Sequence, residues 1–238
     1  MVSLMSSSLL RVVLVVVQTV FNELACTPPN PTPDKWRYNT ETLYILRLGP
    51  LILRIHQLIV RLCAVLEVLF YLKSLPQLAA TLSPYTHFLS LSTQATIHTT
   101  PLFVAGVIAV VIGATIRLIC FHVLGEFFTF DLTVHPKHRL ITTGPYCIVR
   151  HPAYTGSLSI IAGLAASHLS PGSWLWECGP LHIVPASGAV IATLWWTWTL
   201  WIGLNRVEAE DRQMRALFPD EWDAYAARVT KWFIPGVV

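Results

Sequence analysis

Two polar segments interrupt an otherwise apolar chain, and their residue types could hold an anion. In the first, residues 142–157 (TTGPYCIVRHPAYTGS), Arg150 and His151 precede an apolar run. A Gly-Pro pair upstream predicts a turn, and Pro152 is typical of the first turn of a helix. Free backbone amides at that helix start, beside two basic side chains, would attract a negative group. The spacing fits a second interpretation equally well. Arg150 would then only set the orientation of the chain in the membrane, and His151 and the tyrosines would lie at the membrane–water interface.

The second segment, residues 205–222 (NRVEAEDRQMRALFPDEW), follows the last long apolar run. Arg206 and Glu210 are four residues apart and therefore share one face of a helix. An exposed helix with internal ion pairs is the simpler interpretation of this segment by itself. The predicted topology places it on the same side of a membrane as residues 142–157, which favours a shared site.

The composition of the chain is that of an integral membrane protein. Of 238 residues, 54% are hydrophobic and 12% are charged, with a mean hydropathy of +0.57. Soluble domains carry about 25% charged residues. Apolar runs of about 20 residues are long enough to cross a bilayer as helices, which predicts an all-α, polytopic helical membrane protein. The net charge of +3 is dispersed and gives no indication of nucleic-acid binding.

The apolar runs predict five membrane-spanning helices, at residues 9–25, 51–71, 102–124, 153–169 and 183–204. A signal peptide is the alternative interpretation of the first run. Small residues in the fourth would let neighbouring helices approach closely. Charged residues within the runs are candidates for a functional role, namely Arg54, Arg61, Glu67 and Arg117. For Arg117, near the end of the third run, a snorkelling side chain is the favoured interpretation.

The residues after the last span are predicted to form one or two amphipathic helices at the cytosolic surface, the second beginning at Pro219. Helical spacing places one group of apolar residues near a single face: Met214, Leu217, Phe218, Trp222, Tyr225 and Val229.

The distribution of basic residues predicts the orientation of the chain. Five spans place Lys73, in the predicted loop 72–101, on one side of the membrane. The other side receives eleven basic residues: Lys35, Arg37, Arg47, Lys137, Arg139, Arg150, Arg206, Arg212, Arg215, Arg228 and Lys231. Short basic loops stay in the cytosol, so the carboxyl-terminal tail is predicted to be cytosolic. The same distribution favours a retained first span over a cleaved signal peptide.

The cysteines give no sign of a metal site or a disulfide framework. The five of them, Cys26, Cys63, Cys120, Cys147 and Cys178, form no CxxC pair and no regular spacing.

Taken together, the polar segments resemble the isoprenylcysteine carboxyl methyltransferase family. The similarity lies in HRLITTGPYCIVRHPAYTG (138–156), RVEAED (206–211) and the tail FPDEWDAYAARVTKWFIPG (218–236). It implies a methyltransferase core at residues 125–238, preceded by transmembrane helices and linkers at residues 1–124. It also implies an enzyme of the endoplasmic reticulum membrane that methylates the carboxylate of a C-terminal prenylated cysteine in proteins. S-adenosylmethionine would be the methyl donor.

The resemblance implies a role for particular residues. Arg206 would contact the substrate carboxylate and, with Glu210, carry catalysis. The implied cofactor-binding residues are His135, His138, Arg139, Leu140, Ile141, Tyr146, His151, Pro152, Ala153, Tyr154 and Glu210. The chain departs from the family at Asp211, Pro219 and Trp222, where Glu, Gly and Tyr are usual. Aspartate keeps the charge but shortens its reach, which leaves the role of Asp211 open.

These residue types suit methyl transfer to a carboxylate. A terminal carboxylate has a pKa of about 3.5 and is already ionised at neutral pH. Alignment and desolvation of the two reactants should therefore matter more than a catalytic base. Arg206 would hold the carboxylate in a bidentate contact, and Glu210 would attract the donor's ammonium group or orient Arg206. Tyrosine rings would attract the positively charged methylsulfonium.

Other functions stay open at this point. A phospholipid-amine or small-thiol methyltransferase of the same membrane superfamily would carry a similar first segment. However, an amine needs a base, and Arg206 would have no anion to hold. A sterol-reductase-like membrane enzyme would need a nicotinamide cofactor, for which the chain has no GxGxxG motif. A catalytically inactive adaptor would have no need of His151, Tyr154, Arg206 and Glu210.

Overall fold

The computed structural model describes residues 2–30, 49–86, 97–130, 138–179, 181 and 183–234. These residues form helices and turns without strands, which confirms the predicted all-α class. The helices are α1 (Val2–Cys26), α2 (Gly49–Ser74), α3 (Pro76–Thr86), α4 (Pro101–Leu124), α5 (Pro152–His168), α6 (Trp174–Glu177), α7 (Ser187–Leu217) and α8 (Pro219–Arg228). Two 3₁₀ turns, Gly125–Phe127 and Gly144–Cys147, lie between α4 and α5. Helix α3 occupies part of the segment that was predicted as a loop.

Three helices of the described chain are long and apolar enough to cross a membrane. The spans lie in Ser8–Cys26, Leu51–Ser74 and Pro101–Phe127. Helix α5 has 17 residues, a length of about 26 Å. The Trp and Thr side chains of α7 lower its hydropathy. All five predicted segments are helical and the protein is a helical membrane protein, whereas the count of five crossings stays a prediction.

Helices α4 and α5 pack backbone against backbone through glycines. A Cβ atom added to Gly106 would lie 2.6 Å from the Gly163 oxygen, and one added to Gly113 would lie 2.5 Å from the Gly156 oxygen. The close approach predicted from small residues in the fourth span is therefore confirmed. Pro152 is in the first turn of α5, as predicted. This pairing holds the start of α5 beside the end of α4.

Polar side chains buried in the bundle join α1 to α2 and α5. Arg11 donates to Glu67 through Nε at 2.8 Å and through Nη2 at 3.1 Å, and both side chains are almost completely buried. Nη2 of Arg11 also donates to the Ser167 oxygen at 2.9 Å. Near the other end of α1 and α2, His56 contacts Asn22 at 2.9 Å. Because lipid offers no hydrogen-bonding partners, such groups must pair within the protein, and the pairs lock these helices together.

The fifth predicted span and residues 205–217 of the second polar segment lie in one continuous helix, α7, so Arg206 and Glu210 directly follow its apolar part. Helix α8 begins at Pro219, as predicted. Trp222, Tyr225 and Val229 form a buried cluster. Leu140 and Met214 pack against it. Leu217 is 37% exposed, so the prediction for this residue is wrong: α7 ends there, and the turn into α8 directs its side chain away from the cluster.

Candidate active site

Glu210 is the point at which the two polar segments meet. Its Oε1 accepts a hydrogen bond from the Tyr154 hydroxyl at 2.7 Å, and its Oε2 lies 3.2 Å from Nδ1 of His151. The Nε atom of Arg206 lies 3.7 Å from Oε1 of the same carboxylate. Arg206 also donates through Nη2 to the Phe130 oxygen at 2.8 Å. One carboxylate therefore contacts both His151 and Arg206, which are 55 positions apart in the chain.

Asp211 contacts Nε2 of His151, the ring nitrogen that does not face Glu210. Its Oδ1 lies 2.6 Å from Nε2 of His151, and its Oδ2 lies 3.2 Å from Nη2 of Arg150. The indole Nε1 of Trp232 donates to the same Oδ2 at 3.0 Å. The sequence left the role of Asp211 open. In the structure this aspartate joins His151, Arg150 and Trp232 of the tail through its two carboxylate oxygens.

The carboxyl-terminal tail binds the loop that precedes α5. The His151 amide donates to the Trp232 oxygen at 2.7 Å, and the Arg150 amide donates to the Lys231 oxygen at 2.9 Å. The Thr155 hydroxyl donates to the Phe233 oxygen. The amides of Arg150 and His151, which precede the predicted anion-binding helix start, are thus used within the protein. Through them the tail positions the loop.

The histidine in this cluster is a cation at neutral pH. Burial opposes protonation of His151, but its hydrogen bonds with Asp211 and Glu210 outweigh burial and raise its pKa from 6.5 to about 9. Both ring nitrogens face carboxylate oxygens, and only the protonated ring can donate to both. Burial by itself would raise the pKa of Glu210, but the hydrogen bond from His151 and the charges of His151 and Arg206 lower it. Glu210 is therefore ionised.

The cluster borders a cavity of about 380 Å³ that continues into the bundle. Tyr154, Arg206 and Glu210 form its polar end. Further along it is lined mostly by apolar and aromatic side chains of α2, α5 and α7, including Ile52, His56, Ile160, Ile161, Trp195 and Trp198. Such a cavity can hold a ligand that has a charged head and a long apolar part.

Most of the residues that the resemblance implied do line this cavity. They are His138, Arg139, Leu140, Ile141, Tyr146, His151, Ala153, Tyr154, Arg206 and Glu210. Pro152 begins α5 and is buried, but it does not line the cavity. His135 lies outside the described residues. The His138 ring packs between Phe127 and Phe218, with centroids at 5.2 and 6.1 Å.

Arg117 was wrongly interpreted from the sequence. Its side chain is only 9% exposed and lines the cavity, so it does not snorkel toward a membrane surface. It donates to the Ala25 oxygen at 2.8 Å and to the Ser157 hydroxyl at 2.6 Å, and these acceptors turn it into the bundle. Its burial agrees instead with the alternative that the sequence left open, a charge within a span that faces the interior of the bundle.

Comparisons with known proteins agree with the motifs. Residues 106–216 match the model of the Isoprenylcysteine carboxyl methyltransferase (ICMT) family. Two proteins, from Oryza sativa subsp. indica and subsp. japonica, are each described as a probable protein-S-isoprenylcysteine O-methyltransferase. Each is 30% identical to the chain over 126 residues, covering 52% of the chain and 56% of the relative. The chain thus spans about half the length of the curated relatives it matches. No solved structure matches it.

Proposed function

Because residues 106–216 match the model of the isoprenylcysteine carboxyl methyltransferase family, we propose that the chain is a member of it and methylates the C-terminal carboxylate of prenylated cysteine in proteins. S-adenosylmethionine is the proposed methyl donor. The observation that supports this best is the position of Glu210, which contacts His151 and Arg206 at the polar end of a largely apolar cavity. That arrangement suits a ligand pair with one charged reacting end and one lipid chain.

The residues at the polar end suit the donor chemically. S-adenosylmethionine supplies an electrophilic methyl group on a positively charged sulfur. The aromatic rings of Tyr146 and Tyr154 line the cavity and would attract that charge. Glu210 is ionised and would attract the donor's ammonium group, and His138 to Ile141 supply the further wall that the family resemblance implies.

The acceptor side needs an anion-binding group and no strong base. Its carboxylate is ionised at neutral pH, and Arg206 would hold it while α7 keeps the guanidinium beside Glu210. The hydrogen bond from Arg206 to the Phe130 oxygen fixes the direction of that side chain. Exclusion of water by the surrounding aromatic side chains would strengthen both contacts.

The apolar part of the cavity would hold the prenyl chain. Leu53 and Ile52 of α2 face it from one side, and Trp198 and Ile202 of α7 face it from another. Trp198 is also 42% exposed on the outer surface, where lipid is expected. We therefore propose that the chain enters laterally from the membrane between helices, with the reacting end toward the cytosol. The endoplasmic reticulum membrane is the proposed location.

A transfer assay with several acceptors tests this proposal. Membranes containing the protein are incubated with radiolabelled S-adenosylmethionine and either a prenylcysteine, phosphatidylethanolamine or a small thiol. We expect label on the prenylcysteine alone, in a base-labile form, because methyl esters are hydrolysed by base whereas methylated amines and thiols are stable. Label on the lipid amine or the thiol would instead assign the protein to one of the related methyltransferase activities, and no label on any acceptor would contradict a transferase.

A further inference from the structure

The cavity is also lined by Arg117, a cation whose charge has no acidic partner in the described part of the chain. Its hydrogen-bond acceptors are all neutral. Nε donates to the Ala25 oxygen at 2.8 Å, and Nη1 donates to the Ser157 hydroxyl at 2.6 Å and the Ala153 oxygen at 3.3 Å. Within the described ranges, no carboxylate lies within ion-pair distance of its guanidinium.

A buried arginine in this environment is unusual. A charge without a counter-charge inside a membrane-spanning bundle is costly. Such side chains usually face the bundle interior or a cavity, pair with one another or with backbone carbonyls, and mark the path of a substrate. The Arg11 guanidinium, by contrast, is paired with Glu67. The phenyl ring of Phe130, 5.2 Å from Cζ, and the last turn of α1 offer Arg117 only partial compensation. An anion is the missing partner.

The position of Arg117 indicates which anion it is. The third nitrogen of the guanidinium, Nη2, makes no hydrogen bond to any described residue, and the side chain lines the cavity. Along α5, its partner Ala153 is next to Tyr154 at the polar end, and its partner Ser157 lies about one turn further toward the apolar wall at Ile160. An acceptor whose lipid chain fills the apolar part would therefore have its carboxylate at the level of Arg117.

We propose that Arg117 binds the acceptor carboxylate together with Arg206, so that two guanidinium groups from α4 and α7 hold its two oxygens. This inference rests on the proposed function. A carboxylate has about four acceptor positions, so it can be held by two arginines and still present one oxygen for methylation. Arg117 would thus select a free carboxylate over an amide or an ester.

The preference of the protein for a charged over an uncharged acceptor tests this role of Arg117. The full-length protein is purified in detergent and saturated with S-adenosylhomocysteine, so that no transfer occurs. Equilibrium binding is then measured for N-acetyl-S-farnesylcysteine and for its carboxamide, which has the same chain but no charge. We expect wild type to prefer the carboxylate by about 100-fold, and Arg117→Gln to reduce that preference by about tenfold or more.

Controls separate charge binding from packing. Arg61→Gln makes the same change on a spanning helix at an exposed side chain, and it should keep the wild-type preference. Ser157→Ala removes a contact that orients Arg117 but keeps its charge, so it should lose less of the preference than Arg117→Gln does. Arg117→Lys should retain part of it. Retained S-adenosylhomocysteine binding shows that each variant is folded.

The outcomes distinguish this inference from the proposed function. If wild type forms the methyl ester but Arg117→Gln keeps the full preference for the carboxylate, Arg117 does not bind the acceptor and only this inference fails. Equal weakening of the carboxylate and the carboxamide would show a packing role and also overturn it. If wild type neither methylates prenylcysteine nor prefers the carboxylate, both fail.

Discussion

Two ionic clusters near opposite ends of α5 differ in what surrounds them. At the end where α1 begins and α5 finishes, Arg11 is enclosed by Glu67 and by the backbone oxygens of His98 and Ser167, and its side chain is 0% exposed. At the other end, the Glu210 side chain keeps 27% exposure and borders the cavity. A cluster completed by the protein itself stabilises the fold, whereas one that borders a cavity is available to a ligand.

The largest expected effect is the loss of methyl transfer when the cluster at the cavity is broken. Glu210→Gln and Arg206→Ala should each lower kcat/KM about 10³-fold, because each removes a charge that we propose contacts a reacting ligand. The transfer assay measures the loss, and thermal unfolding in detergent should show little change. Glu221→Gln, at an exposed position in the first turn of α8, is the matched control and should keep wild-type activity. Full activity in Glu210→Gln would contradict the proposal that the cluster at the cavity serves the reaction.

The enclosed cluster should respond in the opposite way. Glu67→Gln leaves Arg11 without its counter-charge inside the bundle and should lower the free energy of unfolding by about 3–5 kcal/mol. Glu23→Gln is its control, because the partner Arg61 is 54% exposed and such pairs contribute about 0–1 kcal/mol. Unfolding in mixed detergent measures both. The folded fraction of Glu67→Gln should keep wild-type specific activity. A loss of specific activity in this fraction would contradict a purely stabilising role for the cluster around Glu67.

The sequence predicted the elements of this arrangement better than its contacts. Apolar runs located the helices, and Pro152 and Pro219 marked two helix starts because proline fits a first helical turn. The i, i+4 spacing placed Arg206 and Glu210 on one face, and the distribution of basic residues brought both polar segments to the same end of the bundle. The glycines of α4 and α5 likewise indicated close packing.

Contacts between distant helices could not be read from the sequence. The Arg11–Glu67 pair joins residues 56 positions apart, and it depends on how each helix is rotated about its axis. The same holds for Arg117, whose acceptors lie on α1 and α5. Asp211 was ambiguous because its three partners include Trp232 of the tail. Side-chain pairing across a bundle is set by packing, which a single sequence does not specify.

Asp211 offers an intermediate effect at the border of the site. Asp211→Asn weakens the hold on His151 and Arg150 without removing a group that contacts the ligands. We expect a loss of about 10- to 30-fold in kcat/KM. The pKa of His151 should fall because its strongest hydrogen-bond partner loses its charge. NMR titration of the histidine resolves this shift, and an unchanged pKa with reduced activity would mean that Asp211 acts only through the tail.

The smallest expected effect is a gradual dependence of stability on pH. The pKa of His151 is raised from 6.5 to about 9 in the folded protein, so protonation favours the folded state. Its contribution should be fully present below pH 6.5 and lost as the pH rises through about 9. Unfolding measured across this range should show the decline in wild type and a flatter profile in His151→Asn. An equal dependence of stability on pH in the two proteins would mean that a group other than His151 causes the decline.

Equilibrium binding of S-adenosylhomocysteine tests most directly whether the cluster around Glu210, and not the cluster around Glu67, serves a ligand. Wild type, Glu210→Gln and the folded fraction of Glu67→Gln are compared in the same detergent. Glu67→Gln should bind with the wild-type Kd, and Glu210→Gln should bind at least about tenfold more weakly. Unchanged binding in Glu210→Gln, together with lost binding in folded Glu67→Gln, would contradict the account.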